Sequence, residues 1–374
     1  MSTISDEATP SVLIADPYCS INNNGEPSGH YIHFFKDMKN VMEKDFTVII
    51  ACSEEYQKYL SGPFVTVPSN PSGDQLEKLS SFSRLSVLNI KPITTIRRLL
   101  QLDVDAIIFQ ASSLPALLLS ILTTSSKFTR GKRIFLTIYN DQISGKHIKD
   151  RTRRLLFFLA KKRISGIITG IPDLAEIYHI KTLAIPDYFS RTPEIITEAK
   201  SFFKYDIAQL GIVNEGKNVE KVAEIFKDTD LKLVIAGRFN SRERYEAFRN
   251  SIRDYPNISL INKYLADQEY QAILKESRFV VLPYETNKLQ SSGVYYEALL
   301  NLKPVLVSNA PFFKDVTEKG LGYKYDELSS NIGDFLRNED NYQALRKNIY
   351  DYISRIQNVS KDRILEFFTE IIGN

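Results

Sequence analysis

Tryptophan is absent from this chain, and cysteine, methionine and histidine are scarce: two Cys, three Met and four His in 374 residues. Cys19 and Cys52 lie far apart, and neither has a cysteine or histidine partner at zinc spacing. With no signal peptide visible in Met1–Pro10, this cysteine usage points to a reducing cytoplasm. Long hydrophobic runs are missing too. The longest, Leu114–Leu122, contains a proline and is about half the roughly 20 residues that a membrane span needs. Charge of one sign is also lacking: the formal net charge is +3, too small to argue for nucleic acid, so any basic function must come from local clustering.

What is present is the composition of an ordinary globular protein, 43% hydrophobic and 25% charged. The length favours two or three domains. Short apolar runs alternate with stretches of helical spacing. Ser11–Ala15, Thr47–Cys52, Ala106–Gln110, Arg133–Ile138 and Gly166–Thr169 read as strands, and Gly166–Thr169 is expected to close the first half. Pro63–Leu88 resists assignment. Ile185–Pro193, with two prolines, is the expected linker, which places the domains at 1–186 and 187–374. The alternation then restarts, with strands at Asp206–Val213, Leu231–Ala236, Ile258–Ile261, Phe279–Leu282 and from Pro304. Helices at Tyr342–Ile356 and Asp362–Ile372 end the chain, and the last is expected to pack back on the first domain. Apolar strands without alternation indicate parallel sheets covered on both faces. In such sheets ligands bind at the carboxyl ends of strands, and the cleft between two halves is the expected site.

Lys146–Ile164 is the helix most uneven in charge: eight Lys and Arg stand against Asp150 alone, with Leu155–Leu159 between them. It reads either as a solvated helix with an apolar core face or as a cationic patch for anionic lipid or a phosphate-bearing acceptor.

In the second half, four strand ends carry suitable chemistry. Asn214–Lys217 offers an ammonium and a flexible glycine for a diphosphate. Gly237-Arg238 offers a guanidinium that binds phosphate in bidentate fashion. Asn262–Tyr264 brings an aromatic able to lie against a nucleobase. Ser291-Ser292-Gly293 opens a helix, where backbone N–H groups and the helix dipole suit a phosphate. Glu297 stands one turn on, on the same face as Gly293. A carboxylate there fits hydroxyls next to the phosphate, such as a ribose diol; the alternative is an ordinary helix with Glu297 solvated.

The order GIVNEGKNVEKVAEIF, LKLVIAGR, NISLINKYLADQEYQAILKESRFVVLPYE and QSSGVYYEALLNLKPVLVS resembles the nucleotide-sugar half of GT-B glycosyltransferases. The nearest type is the retaining family 4 of bacterial polysaccharide synthesis. The resemblance spans roughly residues 205–325 and reaches the first half through strand order and the loop Ser28-Gly29-His30. It implies an α/β fold of two Rossmann-like parallel-sheet domains facing across a cleft. Lys217 would contact the donor diphosphate, and the segment carrying Ser292 and Gly293, opened by Ser291, would supply N–H groups to the same phosphates. Glu297 would hold the ribose hydroxyls, and the loop with Gly29 would face the donor phosphate and the acceptor. Two positions depart from the pattern: Leu289 and Ile212 stand where the family often has Glu and Arg, with Gln290 or Glu285 as the stand-in for the Glu that contacts the transferred sugar and Arg238 for the Arg.

The implied reaction moves a sugar from a UDP- or GDP-type donor to a saccharide or lipid-linked saccharide, with retention, as in a hexosyltransferase. The leaving phosphate takes the acceptor proton, with His30 or Asp141 able to assist from the first half. No Asp-x-Asp pair falls in a suitable place, so the reading needs no metal and no cofactor. Two alternatives keep the fold: a nucleotide-sugar epimerase or hydrolase, and a non-catalytic subunit supporting a partner enzyme, which Leu289 and Ile212 would suit. A peripheral position on the inner membrane face, held by Lys146–Ile164, is the expected location if the acceptor is lipid-linked.

Overall fold

A computed structural model of the chain describes residues 9–21, 25, 27, 31–71, 91–110, 113–186, 193, 202–285, 289–327 and 332–373. It divides into two units, residues 1–190 with 359–374, and residues 191–358. The expected linker at Ile185–Pro193 and the glycine loop at Ser28-Gly29-His30 lie largely or wholly outside the described residues.

The first unit runs β1 (Ser11–Ala15), β2 (Ser20–Ile21), α1 (Tyr31–Met42), β3 (Thr47–Cys52), α2 (Glu54–Gln57), β4 (Phe64–Thr66) and β5 (Asn70–Pro71). It continues with α3 (Lys91–Leu100), β6 (Ala106–Phe109), α4 (Leu114–Thr123), α5 (Ser126–Thr129), β7 (Arg133–Thr137), α6 (Ile148–Ala160), β8 (Gly166–Thr169), α7 (Leu174–Tyr178) and β9 (Thr182–Ala184). Seven strands form one parallel sheet in the order β4-β3-β1-β6-β7-β8-β9. β6 and β8 are buried along their whole length, which is why their sequences show no alternation. The expectation that Gly166–Thr169 closes this half is corrected: β9 pairs outside it, Ile167 opposite Thr182. Part of the unassigned stretch also forms a strand, β4, paired with β3.

The second unit runs β10 (Tyr205–Leu210), α8 (Val219–Phe226), β11 (Leu233–Ala236), α9 (Arg242–Ser251), β12 (Ile258–Ile261), α10 (Asp267–Glu276), β13 (Ser277–Leu282) and α11 (Gly293–Leu300). It ends with β14 (Val305–Val307), β15 (Gly322–Lys324), α12 (Ile332–Arg337) and the start of α13 (Glu339–Ile372), whose residues from Val359 on belong to the first unit. Six strands form a second parallel sheet in the order β12-β11-β10-β13-β14-β15. Its core gathers Ile207, Leu233, Ile235 and Val281 from the strands with Val222 and Phe226 from α8.

The two expected C-terminal helices are one helix of 34 residues. Asn358, Val359 and Ser360 are weak helix formers, but Gln357, Ser360, Ile364 and Phe368 are buried along one face, so packing overrides propensity there. Tyr342 and Leu345 of α13 belong to the second unit's core. Its last residues belong to the first unit, and within that unit Phe368 meets Phe135 of β7 edge-on, ring centroids 4.8 Å apart, a geometry favoured by the ring quadrupoles.

Candidate functional site

Because β12, β11, β10 and β13 are neighbours and parallel, their carboxyl ends share one edge of the second sheet. Hydrogen bonds tie the segments beyond them together. The Val213 N–H donates to the Arg238 carbonyl at 2.9 Å and the Asn240 N–H to the Val213 carbonyl at 3.0 Å. The Phe239 N–H donates to the side-chain oxygen of Asn262 at 3.0 Å, and the Glu285 N–H to the Gly216 carbonyl at 3.2 Å. The close approach of β10 and β11 at this edge requires glycine. Gly237 has φ +152°, and a Cβ there would lie 1.9 Å from the Gly211 carbonyl oxygen.

Lys217 ends a single 3-10 turn, Glu215–Lys217, directly after β10. Its carbonyl accepts from the Gln209 side chain at 3.0 Å. The next residue, Asn218, adopts φ +35°, a left-handed conformation that asparagine tolerates better than most residues. The Lys217 ammonium lies over the Tyr284 ring, 3.5 Å from its centroid. The Tyr284 hydroxyl in turn lies 2.5 Å from Ser292 Oγ, and the Tyr284 ring packs on Phe313 with centroids 5.4 Å apart. One tyrosine therefore joins the strand end after β10 to the helix start after β13.

Ser292 is the N-cap of α11: its Oγ accepts the Tyr295 N–H at 3.2 Å, which satisfies one of the amides that a helix start leaves without an internal partner. One turn along, Glu297 is only 6% exposed, so it is not the solvated helix residue of the alternative reading. Its Oε2 accepts from the Gln271 side chain at 3.2 Å. Burial, with the Glu297 charge second, pushes the Tyr270 hydroxyl well above its ordinary pKa.

Lys217, Ser292 and, through the linked backbone, Arg238 are thus brought to one edge, with Glu297 a turn behind Gly293. Arg238 is half-buried, Ser291 is buried, Gln290 is exposed, and Tyr264 is 55% exposed beyond β12. Ile212 is exposed after β10, and Leu289 is half-buried before α11. In the first unit, Asp141 holds its own turn by accepting the N–H groups of Ile143 and Ser144. Gly29 and His30 lie outside the described residues. Two residues that the sequence did not single out are Tyr284 and Gln271. A tyrosine just after β13 is visible as a strand-end aromatic; Gln271 carries no signal, since it meets Glu297 from a different helix.

No protein family's sequence profile matches the chain, and no curated protein sequence does. Solved structures do resemble it. A sucrose-phosphate synthase from Thermosynechococcus elongatus superposes with a TM-score of 0.67 at 12% identity, covering 97% of this chain and 99% of its own. HepE from Anabaena, crystallised with UDP and glucose, gives 0.66 at 12% identity over 96% and 99%. A glycosyltransferase from Rickettsia africae gives 0.64 at 14% identity over 98% and 99%. The chain has the GT-B glycosyltransferase fold.

Proposed function

We propose that the protein is a glycosyltransferase that moves a sugar from a nucleotide-diphosphate donor to a saccharide or lipid-linked saccharide, with the anomeric configuration retained. The observation that carries this reading is the Lys217–Tyr284–Ser292 contact beside a buried Glu297 at one sheet edge. A cation, a capped helix start and a carboxylate in that order match a diphosphate followed by a ribose diol. HepE is a GT-B structure that holds UDP-glucose, and an E. coli protein of the same fold binds UDP-2-fluoro glucose; both are consistent with a UDP-type donor.

In the proposed reaction the bond from the sugar's anomeric carbon to the diphosphate oxygen breaks, and a bond to the acceptor oxygen forms. The acceptor proton passes to the leaving diphosphate. Charge develops on that diphosphate, and fixed donors aimed at it lower the barrier. Lys217, Arg238 and the amides opening α11 fill that role in this reading. Tyr284 positions the ammonium and the cap, and Glu297, oriented by Gln271, accepts the ribose hydroxyls. Tyr264 would lie against the base, Ser291 would flank the phosphates, Gln290 would stand in at the transferred sugar, and Gly29 and His30 would serve from the first domain. No metal or cofactor is invoked.

Leu289 and the exposed Ile212 favour one other reading, a non-catalytic subunit of the same fold. The test is a panel of UDP- and GDP-sugars in a thermal-shift assay, since a bound donor stabilises the native state, followed by product analysis. Sugar transfer that depends on acceptor supports the proposal. Donor loss without acceptor indicates hydrolysis, and neither reaction, with no thermal shift, indicates a subunit.

A further inference from the structure

The basic helix α6 turns an unexpected face outward. Of the Leu155–Leu159 stretch, Phe157 is buried, its ring edge-on to Tyr178 with centroids 4.9 Å apart. Leu155, Phe158 and Leu159 are 59%, 74% and 54% exposed, and Ile148 is 80% exposed. Ile148, Leu155 and Leu159 stand at i, i+7 and i+11, so they form one stripe along the helix. Arg151 and Phe158 follow the same spacing in a second stripe beside it, and Lys162 is exposed in the 3-10 turn Lys161–Arg163 that follows the helix. Scattered exposed apolar residues are ordinary; four large ones on one helix face mark an interaction surface.

The charges sort the same way. Asp150, the only acid of the Lys146–Ile164 segment, pairs with Arg153 at 3.2 Å, and both are half-buried. Arg163 donates to the carbonyls of Ile121 and Thr124, so it closes α4 against the segment following α6. Lys149, Arg151 and Lys162 are exposed. The outward face is therefore apolar along its middle and cationic at its sides. A second copy of this face would meet it with like charge. An anionic lipid surface matches both features: Leu and Phe enter the acyl boundary while the long Lys and Arg stems hold their charges at the headgroups.

We infer that the outward face of α6 seats the protein on an anionic bilayer, with Leu155, Phe158 and Leu159 entering the interface and Arg151 and Lys162 at lipid phosphates. The inference does not depend on the donor reading. The full chain, sedimented with phosphatidylcholine vesicles, should stay in solution; with phosphatidylglycerol added it should pellet, less so as salt rises. Phe158→Ser with Leu159→Ser should weaken binding at least tenfold. Neutralising Lys149, Arg151 and Lys162 to Gln should weaken it about a hundredfold. Removing the same charge from the second unit, at Lys232, Arg249 and Arg253, should leave it unchanged. Donor-induced thermal shift should survive in all three variants, which separates this inference from the proposed function. Should the serine pair fail to fold, the charge triple decides. The inference is overturned by equal binding to neutral vesicles, by no pelleting with either lipid, or by equal loss in the second-unit control. A lipid-free dimer that the serine pair dissolves would also overturn it, since the face would then belong to a protein partner.

Discussion

The described segments just beyond the parallel strands of the two sheets share one topology and have opposite characters. In the second unit, the ends of β10 to β13 present Lys217, Arg238, Tyr264 and Ser292 on segments linked by backbone hydrogen bonds and by the Asn262 side chain, which accepts from the Phe239 N–H. In the first unit, the residues directly following β1 and at the end of β3 pack inward. Asp16, Cys19, Cys52 and Ser53 are buried there, the Ser53 N–H donates to Cys19 Sγ at 3.1 Å, and the Cys19 thiol donates to the Asp16 carbonyl at 3.1 Å. The two cysteines, far apart in sequence, come together in this buried corner as free thiols. Burial pushes the Cys52 thiol up to about 12 and the Asp16 carboxyl to about 7. The lesson is that a parallel sheet supplies an edge, while the residues placed there decide whether it is a polar surface or packed interior.

The buried corner around Asp16 gives the largest expected effect. The folded-state pKa of Asp16, about 7, is raised above its ordinary 3.8, so the native state holds a proton that the unfolded chain releases between those values. Stability should therefore fall as pH rises from about 4 to 7 and level off above. Asp16→Asn keeps the oxygen that accepts the Tyr18 N–H at 2.8 Å and cannot ionise. It should gain up to roughly 4 kcal/mol at pH 8 and little at pH 4. Urea unfolding at both pH values checks this; parallel curves for wild type and variant would refute it.

Next comes the backbone of the polar edge. Gly237→Ala must push a Cβ into the Gly211 carbonyl at a φ of +152°, and should cost about 3 kcal/mol or more. A loss under about 1 kcal/mol in the same urea assay would show that the two loops separate easily. Glu297→Ala removes the buried carboxylate that the proposed function gives to the ribose. Donor affinity should fall about a hundredfold, near 3 kcal/mol, as a charged hydrogen-bonding group is lost. A wild-type donor shift in this variant sinks the ribose assignment. The smallest effect is Tyr284→Phe, which keeps the ring under Lys217 and removes the hydroxyl at Ser292. It should weaken donor binding by about 1 kcal/mol, with folding little changed; no change in donor affinity would reduce Tyr284 to a packing role.

Much of the architecture was legible in advance because it depends on local pattern. Val12–Ala15, Ala106–Phe109 and Leu233–Ala236 are continuous apolar runs, and a strand buried on both faces needs them. The four strand-end constellations were visible for the same reason, since each is contiguous in sequence. β9 was missed because Thr182–Ala184 is too short to show a period. The cationic helix was recognised by charge, but its apolar residues were expected to face the core in one reading. Which of Leu155, Phe157, Phe158 and Leu159 turns inward follows from what α6 packs against, and only Phe157 meets Tyr178.

What the sequence determined by itself is the alternation of parallel strands and helices, the helix opening at Ser292-Gly293, and the one-turn spacing from Gly293 to Glu297. These are properties of neighbouring residues, read through periods of two and 3.6. Only the tertiary structure decided that Tyr284 joins Lys217 to Ser292, that Gln271 orients Glu297, and that Gly237 must fit against Gly211. Those contacts depend on sheet order, and the order β12-β11-β10-β13 is not the order of the chain. Residues from separate strand–helix units meet because parallel pairing brings their strand ends to one edge, a consequence of packing that no local pattern encodes.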